Sequence, residues 1–179
     1  TQSPDWPFPV NAREFRSIWN QAWFSSLRSA EGLFRYARTH KDSSLMKKAL
    51  ETKELALSFP QRNGFFCSVI ATAMEQVEVD GKFYNRSSGW DTRYFGNSNR
   101  NPYTNDAKES PYHLLDMSYT AFLMLEWYEE LEKDKRLLDY ATRYADALLK
   151  LQSDDGFFPG WLSLRDLQPL QHLNQSPES

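Results

Sequence analysis

Two aspartates occupy positions that favour chemistry on sugars. Asp116 falls at the start of a predicted helix, where unpaired N–H groups and partial positive charge favour a carboxylate. Asp91, in the segment GWDTRYFG, lies between Trp90 and Tyr94. Aromatic rings stack on the apolar faces of pyranosides, and glycoside hydrolysis requires two carboxyl groups. The sequence therefore predicts Asp116 and Asp91 as a catalytic pair, with Asp116 as base or nucleophile; its alternative role is to cap the helix.

Further side chains near these aspartates have the chemistry to hold a saccharide. Arg93, Asn99 and Arg100 could bind a carboxylated sugar, and Tyr112 or His113 could then be the base of a β-elimination. That chemistry belongs to a polysaccharide lyase, the alternative to hydrolysis. The predicted substrate-binding set is Trp90, Arg93, Tyr94, Asn99, Arg100, Tyr112, His113 and Trp161.

Composition disfavours several other classes of protein. The single cysteine, Cys67, excludes a disulfide framework, and the three histidines, His40, His113 and His172, lack metal-ligand spacing. We therefore predict no metal and no cofactor. A net charge of −3 with interspersed signs argues against a nucleic-acid partner. No apolar run reaches the roughly 18 residues that a membrane span needs.

An internal repeat organises most of the chain. Residues 21–68 align without gaps on residues 113–160, which are 92 positions further on, and share eleven identical residues. Both copies run through an apolar segment, a polar turn, a second segment and the tripeptide GFF. Helical patterning predicts helices over residues 12–39, 44–58, 116–132 and 135–151. The third predicted helix is apolar on nearly all sides, whereas the fourth is apolar along one stripe only. This contrast is typical of an inner helix followed by an outer helix.

These patterns predict an all-α fold of inner and outer helical hairpins, as in an incomplete α/α barrel or toroid. Residues 1–179 would form part of one such domain, with hairpin one over about 12–66 and hairpin two over 113–158. The connector 67–112 includes a small β-hairpin near 74–84, where a DG turn separates two alternating segments. Residues 159–179 would be a truncated connector.

Two further expectations concern packing. Two hairpins cannot close a ring, so Met117, Ala121, Met124 and Tyr128 should face the remainder of the same polypeptide or a partner chain. The loop 87–112 should cross the start of the third helix and bring Asp91 or Trp90 near Asp116, because a loop this long in a compact domain is often functional.

Two segments resemble a known superfamily. RYADALLKLQSDDGFFPGW (143–161) and HLLDMSYTAFLMLEWYEELEKD (113–134) are similar to the outer-helix turn and the inner helix of six-hairpin, (α/α)6-barrel carbohydrate enzymes. Terpene cyclases share that architecture but need an acid motif such as DxDD or DDxxD, which is not found in this sequence.

The resemblance implies a segment of a glycoside hydrolase acting on a polysaccharide or oligosaccharide. A polysaccharide lyase on the same scaffold and a non-catalytic helical-repeat domain that binds glycan or protein are the alternatives. The sequence does not encode the compartment, and only the carbohydrate interpretation favours a periplasmic or secreted location.

Overall fold

The computed structural model of the protein describes residues 22–97, 104 and 106–170. Four helices lie in this part of the chain: α1 (Ala22–His40), α2 (Ser43–Leu57), α3 (Leu114–Glu130) and α4 (Lys135–Leu149). Its strands are β1 (Gln61–Arg62), β2 (Phe65–Phe66), β3 (Val69–Thr72), β4 (Met74–Val79), β5 (Lys82–Ser87), β6 (Arg93–Gly96), β7 (Tyr112–His113) and β8 (Trp161–Leu162).

The predicted all-α fold is wrong, because short strands join the helical hairpins into a mixed α/β domain. The described strands form four two-stranded antiparallel sheets, β1–β2, β3–β6, β4–β5 and β7–β8. Only β4–β5 was expected, and it does form, with Asp80 and Gly81 both at positive φ (51° and 73°) as a tight hairpin turn requires. The stretch Val69–Thr72 has three β-branched residues of four and is fully buried, so it pairs with β6 instead of remaining a loop.

The two helical hairpins form where the repeat predicts them. α1 packs on α2 and α3 packs on α4, while α1 also packs on α3. Equivalent aspartates cap the second helix of each hairpin. The carboxylate of Asp42 accepts hydrogen bonds from the backbone N–H groups of Ser44 and Leu45. The carboxylate of Asp134 accepts one from the backbone N–H of Arg136. The predicted start of the first helix, residues 12–21, lies outside the described residues.

The predicted uncovered face of α3 is largely buried. The core includes Met117, Ala121 and Met124, because α1 and the β2–β3 segment cover them. Trp127, also on this helix, meets Phe34 of α1 edge-to-face, with ring centres 5.5 Å apart. The exposed apolar side chains of α3 lie on another face, at Leu115, Phe122 and Leu125. No described helix is both long and apolar enough to cross a membrane.

The first GFF turn (residues 64–66) docks on the second hairpin. Gly64 has a φ of 91° and lies so close to α4 that an added Cβ would be 2.4 Å from the Arg143 carbonyl oxygen and 2.5 Å from Ala147 Cβ. Phe65 meets Tyr144 edge-to-face, and Phe66 meets both Tyr140 and Tyr144. This contact joins the two hairpins with no side chain on the turn itself at the point of closest approach.

A buried lysine makes the second contact between hairpins. Lys53 of α2 is 3% exposed, and its ammonium lies 2.7 Å from the Glu132 carboxylate and 2.9 Å from that of Asp134. Arg136 completes the cluster with hydrogen bonds to Glu54 and Asp134. Arg136, and then Lys53, hold the pKa of Asp134 well below its usual range.

The close approach of Gly64 predicts unequal effects for two equivalent substitutions. Gly156 has nearly the same φ, 88°, but an added Cβ there would meet only Gln152 Nε2, at 3.9 Å. Gly156→Ala should therefore lower the free energy of unfolding by about 1 kcal/mol, from backbone strain alone. Gly64→Ala should cost roughly 3 kcal/mol, because it also overpacks the α4 contact. Urea denaturation of both variants checks this, and equal losses would show that the contact is looser than described.

Candidate functional site

The start of α3 is built by a short strand pair. β7 leads directly into the helix, and it pairs with β8 so that Tyr112 lies opposite Leu162 and His113 opposite Trp161. His113 is the N-cap residue of α3 but makes no side-chain capping bond. Asp116 therefore lies in the first helical turn rather than at the cap, the alternative role that the sequence suggested. The first turn still offers unpaired N–H groups and partial positive charge.

A small cluster of buried polar side chains lies beside these strands. Asp116 Oδ2 is 3.2 Å from His113 Nδ1 and 3.5 Å from the Ser68 hydroxyl, and Asp116 and His113 are each 1% exposed. The His113 ring stacks on Trp161, with ring centres 4.1 Å apart and planes at 20°. Asp116 Oδ1 is buried and has no hydrogen-bond partner among the described residues. One oxygen of this carboxylate thus contacts His113 and Ser68, and the other is left without a partner in the part of the chain that the structure describes.

The structure brings together four of the residues that the sequence predicted for the site: Tyr112, His113, Asp116 and Trp161. Ser68 could not be predicted for the site, because it contacts Asp116 only through the fold. Burial raises the pKa of Tyr112, which opposes its use as a base. The geometry also differs from a Ser-His-Asp triad, since Ser68 contacts the aspartate rather than the histidine.

The other predicted residues lie elsewhere. Asp91 is exposed, in a single 3₁₀ turn (Trp90–Thr92) that precedes β6. The register pairs Arg93 with Thr72 and Gly96 with Val69, so Ser68 and Asp91 lie at opposite ends of the β3–β6 ladder. The four residue steps from Ser68 to Thr72 alone span roughly 13 Å of extended chain.

Among the remaining candidates, Tyr94 on β6 has its own neighbours. Its hydroxyl donates to Asp106 at 3.4 Å, and the Lys108 ammonium lies over its ring. Arg93 is exposed on the same strand. Asn99 and Arg100 lie outside the described residues. Within the described part of the chain, no group of three His, Cys, Asp or Glu side chains is placed to hold a metal ion.

A second buried carboxyl lies between α1 and α3. The side chain of Glu31 is 4% exposed, and its Oε2 is 3.5 Å from Arg35 Nη1. Arg35 also lies 2.6 Å from Glu130 and 3.9 Å from Glu126. Burial, and then the charge of Glu126, raise the pKa of Glu31 from 4.5 to about 7.

Sequence reasoning missed Glu31, although one signal was available. It lies four residues after Leu27 and three before Phe34, and both of these are buried. An acidic residue at that spacing falls on the apolar stripe of an amphipathic helix. Such a position predicts either a buried partner or a perturbed titration.

Comparison with known proteins gives no match: no protein-family model, no curated protein and no solved structure is significantly similar to this chain. The assignment of function therefore depends on the geometry and chemistry of the residues themselves.

The raised pKa of Glu31 predicts a pH-dependent stability. The folded protein retains the proton up to about pH 7, whereas the unfolded chain loses it near 4.5, so stability falls as pH rises between these values. A pKa shift of this size lowers the free energy of unfolding by roughly 3 kcal/mol at most. Glu31→Gln should remove that loss, and the exposed control Glu51→Gln should not. Unfolding free energies measured from pH 4 to pH 8 (roughly the titration window) check this; parallel curves for wild type and Glu31→Gln would contradict it.

Proposed function

We propose that this chain is a segment of a carbohydrate-active enzyme, a glycoside hydrolase, in which Asp116 is a catalytic carboxylate and His113 positions it. The observation that supports the proposal is the buried Asp116 Oδ1, which has no hydrogen-bond partner among the described residues, beside an Oδ2 that contacts His113 and Ser68. Leaving a buried polar atom unpaired costs about 1–3 kcal/mol. A group that is retained at such a cost and oriented by its neighbours is a candidate for binding or catalysis.

The surroundings of Asp116 suit a base or nucleophile. The first turn of α3 offers unpaired N–H groups and partial positive charge, and His113 Nδ1 lies 3.2 Å from Asp116 Oδ2. Trp161, stacked on His113, supplies an aromatic surface next to the carboxylate, as sugar sites commonly require.

Two further elements complete the proposed reaction. Asp116 is 1% exposed, so a substrate reaches it only if neighbouring segments move, and β7 and β8 beside it pair over only two residues each. Hydrolysis also needs a second carboxyl as general acid. Asp91 lies at the far end of the β3–β6 ladder, so the general acid is a carboxyl group other than Asp91.

The alternatives have weaker support. A lyase would need Tyr112 or His113 as base, but burial raises the pKa of Tyr112, and Arg93 lies on the ladder far from Asp116. A non-catalytic binding domain is favoured by one specific observation, the exposed apolar side chains of Leu115, Phe122 and Leu125 along α3.

The proposal is tested by the turnover of neutral and uronic oligosaccharides by the full-length protein. Asp116→Asn should lower turnover at least about a hundredfold, the usual effect of losing an acid–base group, with an unchanged thermal midpoint. Asp80→Asn, a change in the exposed turn of the β4–β5 hairpin, is the matched control and should leave turnover unaltered.

Three results would contradict this proposal. Near-wild-type turnover by Asp116→Asn would remove Asp116 from the mechanism. An unsaturated product, detected by its ultraviolet absorbance, would indicate the lyase reaction instead. Saccharide or protein binding without any turnover would support the non-catalytic domain.

A further inference from the structure

The two GFF turns have the same backbone shape but different surroundings. Gly64 and Gly156 have φ values of 91° and 88°. Phe65, in the first turn, is 5% exposed because it packs on α4, whereas the equivalent Phe157 is 66% exposed. Gly64 touches the backbone of α4, while a Cβ at Gly156 would meet only Gln152 Nε2, at 3.9 Å. The second GFF turn (residues 156–158) therefore has the backbone shape of the first, but no helix among the described residues packs closely on its glycine.

The surface around the second GFF turn is apolar. An open cleft of about 260 Å³ separates Phe157 from Leu115 and Ser118 of α3 and Leu148 of α4. Leu115 and Leu149, at the same end of the hairpin, are exposed. A side chain as large as those that cover Phe65 would fit into this cleft.

We propose that the second GFF turn and this cleft bind a third helical hairpin, in the way that the first GFF turn binds α4. The established contact defines the chemistry of the partner helix. It presents a small residue opposite Gly156, as α4 presents Ala147 to Gly64, and aromatic rings in the positions of Tyr140 and Tyr144.

Charge further defines the partner helix. In the established contact, Arg143 of α4 donates to Gln61 at 2.6 Å, close to the first GFF turn. The second GFF turn follows Asp154 and Asp155 instead, and both are exposed. The partner helix should therefore carry Arg or Lys where α4 has Arg143, because the acidic pair is then neutralised.

A second copy of this chain does not meet these requirements. Its α4 is already occupied by its own first GFF turn. Its α2, at the positions equivalent to Tyr140, Tyr144 and Ala147, has Lys48, Thr52 and Leu55, which offer neither rings nor a small residue. The partner is thus a different hairpin, and this inference does not depend on the chemistry at Asp116.

The test uses the full chain and a synthetic helix as probe. A peptide of residues 135–151, stapled through the exposed positions Thr142 and Asp146, carries the side chains that bind the first GFF turn. It should bind the chain, and Phe157→Ala should weaken binding at least tenfold. Phe83→Ala, at an equally exposed phenylalanine (69%) on the β4–β5 hairpin, should leave binding unchanged.

A second probe separates docking on glycine from general hydrophobic adhesion. Ala147→Leu in the peptide should weaken binding at least tenfold, because the longer side chain collides with the turn at Gly156. Nonspecific adhesion predicts tighter binding from the added apolar surface. Equal or tighter binding by that peptide would overturn the proposal.

Other occupants of this surface would be detected by the same variants. A dimer of the chain that Phe157→Ala dissociates in sedimentation velocity would assign the surface to a second copy. Peptide binding that appears only after residues 1–20 are removed would assign it to the N-terminal segment. Either result would overturn the proposal, as would a lack of effect of Phe157→Ala on peptide binding.

Discussion

The contact between Gly64 and α4 is the constraint on which the arrangement of the two hairpins depends. Because glycine has no side chain, the turn reaches the backbone of α4 and places Phe65 and Phe66 among Tyr140 and Tyr144. The Phe66 N–H then meets the sulfur of Met117, and two residues later Ser68 lies against Asp116. The position of the candidate carboxylate is thus determined through backbone geometry that begins at Gly64.

The Lys53 cluster acts at the other end of the hairpins and has a different physical character. A buried ammonium is tolerated there because three carboxylates, those of Glu54, Glu132 and Asp134, surround it. Such a cluster contributes more to a unique register than to net stability, since desolvation offsets much of the attraction. The repeat also diverges at this point: Asp42 only caps its helix, whereas the equivalent Asp134 both caps and binds Lys53.

The sequence predicted the local elements well and the long-range pairing poorly. The helices, the aspartate caps and the DG hairpin follow from periodicity and turn chemistry within short windows. The β3–β6 ladder joins segments more than twenty residues apart, and no local pattern specifies that pairing. The candidate site was partly predictable for the same reason. Its predicted members Tyr112, His113 and Asp116 are neighbours in sequence. The distance between Asp91 and this group depends on the register of the β3–β6 ladder, and the contact with Ser68 depends on the first GFF turn, so neither could be predicted locally.

The two buried carboxyls of α1 and α3 show how one scaffold can bury acids in different surroundings. Glu31 lies along the middle of α1, where burial, and then the charge of Glu126, raise its pKa to about 7. Asp116 lies in the N-terminal turn of α3 beside an imidazole and a hydroxyl. Each keeps one oxygen without a hydrogen-bond partner among the described residues. Because a neutral carboxyl group is less costly to bury than a carboxylate, the raised pKa of Glu31 lowers the cost of its burial. The contacts of Asp116 come instead from Ser68, which follows the first GFF turn, and from His113 on β7, so this carboxyl depends on both hairpins for its surroundings.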